Sequence, residues 1–183
     1  MRGAVVRGFA AVVTAVGLSV LAPAAQAADD FISEYKFGVL LHDAGLFGNR
    51  KEHGIDGNFE VLFESPRFLG WIGSPRPHLG IEISSAEQTN KAYFGLSWGW
   101  TFWGNWFAGF SLGGAAHDGF LATTQSDRKE LGSRFLFRES VEIGYVIAER
   151  HMISLLFDHV SNAKLGKNND GMDSFGLRYG YRF

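Results

Sequence analysis

His159 and Ser161 stand two residues apart, and Asp173 follows beyond a polar stretch. These three residue types can do acyl transfer. A serine hydroxyl is a weak nucleophile until an imidazole takes its proton, and a carboxylate on the other ring nitrogen fixes the tautomer and stabilises the imidazolium. Ser161 would attack, His159 would act as base and then acid, and Asp173 would orient the imidazole. The spacing alone is weak evidence, because a His and a Ser two apart often occur by chance. The elements that must hold the three decide whether they can meet.

Residues 154–183 read as two alternating strands joined by a polar loop. Side chains two apart in a strand point the same way. Ile153, Leu155, Phe157, His159 and Ser161 therefore share one face, as do Asp173, Phe175, Leu177, Tyr179, Tyr181 and Phe183. Both apolar rows end, at the loop, in the polar trio. Neighbouring strands lie about 4.8 Å apart and same-face residues roughly 6.6 to 7 Å apart, so the three side chains can meet across the hairpin. An interfacial polar rim would give the same residues at the same ends.

The chain has 183 residues, enough for one domain with a real core. Arg2 and Arg7 make a positive start, residues 9–21 form an apolar run, and Ala25-Gln26-Ala27 is a small-x-small site. Residues 1–27 are thus predicted to be a secretory signal peptide, and residues 28–183 the mature domain. Cysteine is absent, so export is permitted but no disulfide framework holds the fold. A net charge of −2 gives no electrostatic argument for nucleic acid. Fifteen per cent aromatic residues, 24 glycines and four prolines suit an all-β chain. No mature segment is long and apolar enough for a transmembrane helix, so only a barrel could span a bilayer.

Alternation continues along the chain and predicts eight strands. These cover about 34–42, 58–64, 78–84, 94–102, 106–112, 133–147, 153–161 and 173–183, with the longest loop of the middle region at 115–132. After the third strand the connections alternate long and short, as in an up-and-down barrel crossing an outer membrane. The predicted fold is an all-β, eight-stranded antiparallel transmembrane β-barrel of the bacterial outer membrane, integral to it. A soluble lipocalin-like barrel with an apolar lumen would share the period of two.

Three features favour the membrane. Trp98, Trp100, Trp103 and Trp106 cluster about the tight turn at Gly104-Asn105, as an interfacial belt requires. The second parity carries both signs of charge in Glu34, Lys36, Glu60, Glu64, Glu82, Arg134, Arg138, Glu142, Asp158, Arg178 and Arg182, which can pair inside a narrow lumen. The alternating aromatic end at Phe183 resembles the terminal signature of outer-membrane proteins. Glu139 breaks the pattern, falling between Phe137 and Val141 on the lipid parity, where a carboxylate is costly at mid-bilayer. A bulge, a protein partner or an interfacial position would account for it, but it is read here as an error of register.

The run His159-Val160-Ser161-Asn162-Ala163, an Asn-rich loop with Asp170-Gly171, an acidic residue, Ser174 and a closing aromatic strand resemble the lipid A 3-O-deacylase family, PagL. The resemblance covers about 30 residues in motif and the rest in architecture. It implies a serine esterase that removes the ester-linked 3-hydroxyacyl chain from lipid A of lipopolysaccharide in the outer leaflet, without metal or cofactor. By position, His159 would be the base, Ser161 the nucleophile and Asp173 the acid, with Asn162 contributing to an oxyanion hole. The implied partners are lipopolysaccharide and outer-membrane lipids; a homodimer is left open.

Two departures from the family pattern matter. Its acid is typically Glu, and Asp173 is one methylene shorter. Asn162 also falls on the inward parity, so it can serve an oxyanion only if the strand ends there and the chain turns. The alternative function is a non-catalytic barrel, structural or adhesive.

Other polar residues are read more plainly. Asn168 and Asp170-Gly171 are turn residues, since the calcium-loop pattern fails at Gly166 and Leu177. His42, His53, His78, His117 and His151 lack metal spacing and are assigned to loop or strand-end polarity. Arg50, Lys51, Lys164 and Lys167 lie on outer loops, where cations could meet lipid A phosphates.

Overall fold

Alternating side chains close this chain into a barrel. The structure, a computed structural model, describes residues 31–47 and 49–183. The expected signal peptide, residues 1–27, lies outside the described residues. The strands are β1 (Ile32–Leu41), β2 (Ile55–Phe63), β3 (Arg76–Ser84), β4 (Lys91–Phe102), β5 (Trp106–His117), β6 (Phe135–Ile147), β7 (His151–Ser161) and β8 (Met172–Arg182), with a 3-10 helix at Arg67–Ile72. Each pairs antiparallel with the next. A seam from Glu34 opposite Arg182 to Leu41 opposite Phe175 joins β1 to β8 and closes the ring.

The two parities separate as the alternation requires. Phe37, Val39, Leu41, Leu79, Ile81, Ile83, Val141, Ile143, Leu155 and Leu177 are exposed on the outside. Inside, the charges are buried and paired. Lys36 meets Glu142 at 2.5 Å, Lys91 meets Asp158 at 2.7 Å, Arg138 meets Asp158 at 2.6 Å and Arg178 meets Glu60 at 2.6 Å. The Arg138 guanidinium also lies 3.8 Å from the centre of the Tyr93 ring. An apolar exterior around a charged interior suits a bilayer and excludes the lipocalin-like alternative, whose lumen would be apolar.

Three expected lumen charges lie elsewhere. Glu64 follows the end of β2 and is exposed, while Arg134 precedes β6 and donates to the Gly119 carbonyl. Arg182 sits at the rim, 3.6 Å from Glu34.

Strands β4 and β5 are longer than predicted: β5 runs through Gly113 and Gly114 to His117, so the following loop is 118–134. These glycines carry the ladder because Phe94 and Gly95 lie directly across from them, and a Cβ on Gly113 would collide with the β4 backbone.

Short turns at 103–105 and 148–150 share one end with the 3-10 helix. Trp71, Trp100, Trp103 and Trp106 are exposed there, and Trp98 Nε1 donates to the Ile72 carbonyl at 2.8 Å, tying the girdle to the helix. The other end carries four loops: L1 (42–54), L2 (85–90), L3 (118–134) and L4 (162–171). Leu131 of L3 plugs that end, packed with Tyr93, Ala115, Leu136, Val160 and Met172.

Candidate active site

Register sets the geometry of the trio. β7 and β8 pair so that His159 lies directly opposite Asp173. The imidazole donates from Nδ1 to Asp173 Oδ1 at 2.6 Å. The shorter carboxylate therefore reaches the ring without difficulty, and the bond leaves Nε2 on the opposite side of the ring. Ser161 follows on the same face as the last residue of β7, half-buried. Gly171 lets L4 pass close over the ring: its φ is +54°, and a Cβ there would sit 3.1 Å from His159 Cε1.

Asp173 continues the parity of Phe175 and Leu177 on the outer face but does not lie open to that side. It is buried, because L1 folds over it. The Phe47 amide donates to Asp173 Oδ2 at 2.6 Å, and the Ala44 amide donates to the Asp173 carbonyl at 2.7 Å. The Phe47 ring then lies edge-on to Phe157 at 5.4 Å and to His159 at 6.0 Å. Both carboxylate oxygens are thus engaged, one by the imidazole and one by the loop. With Glu139, Val141 and Phe157, Phe47 and His159 line an open recess of about 370 Å³.

Asn162 turns inward, as its parity requires. Its Nδ2 donates to the Leu131 carbonyl at 3.0 Å and the Asn168 carbonyl at 2.6 Å, so the side chain ties L3 to L4. Its main-chain N–H donates to Asn169 Oδ1 at 2.8 Å. The chain does turn here, with Ala163 and Lys164 in the left-handed region at φ 52° and 63°.

L1 is itself held by charges that the sequence reading missed. His42, assigned there to loop polarity, is fully buried. It donates from Nδ1 to Asp56 Oδ2 at 2.7 Å and from Nε2 to Glu52 Oε2 at 2.9 Å. Burial pushes the imidazole toward neutrality, but hydrogen bonds and charge from Asp56 and Glu52 outweigh it and raise its pKa from 6.5 to about 9. Burial likewise opposes ionisation of Glu52, yet the hydrogen bonds from His42, the amides of Lys129 and Thr89 and the Thr89 hydroxyl lower it from 4.5 to about 2.

Glu52 therefore joins L1 to L2 and L3. Lys129 adds an ion pair to Asp43 at 3.0 Å, and Asp170 of L4 meets Lys51 at 2.8 Å while accepting the Glu130 amide at 2.7 Å. Asp170 is thus a clasp as well as a turn residue. Lys51 is committed to it, whereas Arg50, Lys164 and Lys167 remain exposed. His78 likewise departs from the expected loop or strand-end polarity: it is buried in the lumen, 2.9 Å from the Ser97 hydroxyl. A signal for His42 existed, since it continues the inward parity of Glu34 and Lys36. Phe47 gave none, being one apolar residue in a glycine-rich loop.

Glu139 lies where the register puts it. β6 pairs without a shift on both sides, so the expected register error is overturned. The residue is exposed on the outer face, directly opposite His159.

Comparison with known proteins agrees with this barrel. The lipid A deacylase PagL of Bordetella bronchiseptica is 34% identical over 64 residues, a match spanning 35% of this chain and 35% of that protein. The match therefore spans about a third of that relative's length. The crystal structure of the outer membrane enzyme PagL superposes with a TM-score of 0.61 at 20% identity, covering 81% of this chain and 99% of that one, which shows a shared fold. The model of the family described as lipid A 3-O-deacylase (PagL) matches residues 69–182, more than half of the chain, including β7, L4 and nearly all of β8. By that match, the chain belongs to the lipid A 3-O-deacylase family.

Proposed function

We propose that this barrel is a serine esterase of the outer membrane that hydrolyses the 3-O-acyl ester of lipid A from the outer leaflet. The observation that carries the reading is the His159–Asp173 contact at 2.6 Å, next to Ser161 on the same lipid-side face. Asp173 would hold the imidazole with Nε2 free, His159 would take the Ser161 proton, and Ser161 would attack the ester carbonyl. His159 would then protonate the departing sugar oxygen, and water would release the fatty acid by the reverse sequence. The Phe47 ring and the recess beside it support an acyl chain approaching along the barrel wall.

Asn162 would serve the oxyanion through its main-chain N–H, which requires the Asn169 side chain to swing aside. Its side-chain amide is spent on the two loop carbonyls. The exposed cations Arg50, Lys164 and Lys167 would meet the lipid A phosphates, and no metal enters the scheme.

Mass spectrometry of lipid A incubated with the detergent-folded protein tests this. Loss of one 3-hydroxyacyl chain with wild type, and none with Ser161→Ala, is the expected outcome. Persistence of the loss in Ser161→Ala would move the nucleophile elsewhere. No loss with correctly folded wild type would favour the non-catalytic barrel.

A further inference from the structure

Among the described residues Glu139 is an acid without a partner, on a wall made for lipid. Its row on the outer face is otherwise apolar, with Phe135, Phe137, Val141 and Ile143 all exposed. The unbroken register sets it opposite His159 on one side and Leu112 on the other. Among the described residues no cation pairs with it: the adjacent Arg138 turns into the lumen, toward Asp158 and Glu60. Asp173 already holds Nδ1 of His159 from the opposite strand, so Glu139 is not the orienting acid.

A carboxylate facing lipid is costly unless something donates to it. None of the described residues donates to it in the recess formed with Phe47, Val141 and Phe157, so an occupant of that recess is placed to supply the donor. A plain hydrocarbon chain offers none. A 3-hydroxyacyl chain does, because its hydroxyl oxygen lies three bonds from the carbonyl carbon that Ser161 would attack. Directly opposed residues have Cβ atoms about 4.5–5.5 Å apart, a separation that the two-methylene side chain of Glu139 can span.

We propose that Glu139 is a specificity residue whose carboxylate accepts a hydrogen bond from the 3-hydroxyl of the acyl chain being cleaved, selecting hydroxylated over unsubstituted acyl esters. This rests on the deacylase reading above.

The test uses two synthetic lipid A substrates, identical except for a 3-hydroxytetradecanoyl or a tetradecanoyl ester at the 3-position. Both are given to wild type, Glu139→Gln and Glu139→Leu, each checked for a folded barrel by heat-modifiable migration. Wild type is expected to favour the hydroxylated ester in kcat/KM by about tenfold or more, as a charged acceptor would give. Glu139→Gln keeps an acceptor oxygen without the charge and should retain a few-fold preference, and Glu139→Leu should bring the ratio to about one. A wild-type ratio kept by Glu139→Leu overturns the proposal, as does a wild type without preference. Equal loss toward both esters in Glu139→Leu also overturns it, placing the donor on another part of the lipid. Wild type that cleaves neither ester defeats the deacylase reading itself, and this proposal with it.

Discussion

Asp173 carries two loads at once, orienting His159 with one oxygen and receiving the Phe47 amide with the other. Its length is tuned to both. Asp173→Asn keeps the shape but removes the charge that, in the proposed mechanism, would stabilise the imidazolium, and is expected to lower kcat by about 10⁴-fold, measured by release of fatty acid from lipid A. Asp173→Glu restores the acid usual in the family, yet its extra methylene must fit under L1. It should be less active than wild type here, and an equal or higher rate would show that L1 yields. Gly171→Ala probes the other side of the ring. A left-handed φ and a Cβ 3.1 Å from His159 Cε1 should cost at least tenfold in kcat while leaving the barrel folded.

At the scale of elements, L1 is the part of the site that the residue pattern concealed. The strands were legible because burial on one face enforces a period of two, and His159, Ser161 and Asp173 could be placed from that period alone. A loop has no period. Its position follows from long-range charge contacts, such as Glu52 to Thr89 and Lys129, which no local spacing reveals. The same loss of pattern hid the true end of β5, where Gly113 and Gly114 replace the alternating side chains. Glu139 was misjudged for the opposite reason: the alternation was right, and the anomaly was real.

The seat of L1 should respond to pH in two opposite senses. His42, with its pKa raised to about 9, contributes fully below about 6.5 and loses its contribution as pH rises through 9. Glu52, lowered to about 2, contributes above 4.5 and loses it as pH falls through 2. L1 should thus be held best between about pH 4.5 and 6.5 and loosen above 9. Trypsin cleavage after the exposed Arg50 measures this, and should quicken as pH passes 9 in wild type. In His42→Gln cleavage should be fast throughout, with no alkaline step.

For the whole molecule, the lumen is a column of ion pairs rather than a passage. Planar bilayers containing the protein should show no steady conductance. Arg138→Met leaves Asp158 and Glu60 short of a partner at the buried centre, and should destabilise the barrel by about 3–5 kcal/mol, read from denaturant unfolding in detergent. The β1–β8 seam has a consequence for timing. The β7–β8 hairpin can bring His159 to Asp173 by itself, but Ala44 and Phe47 reach Asp173 only once the first strand lies against the last. A chain in transit, not yet zipped shut, would carry only half of the proposed site. On the proposed function, insertion would then act as a safety catch, arming the site by the same event that delivers it to lipid A.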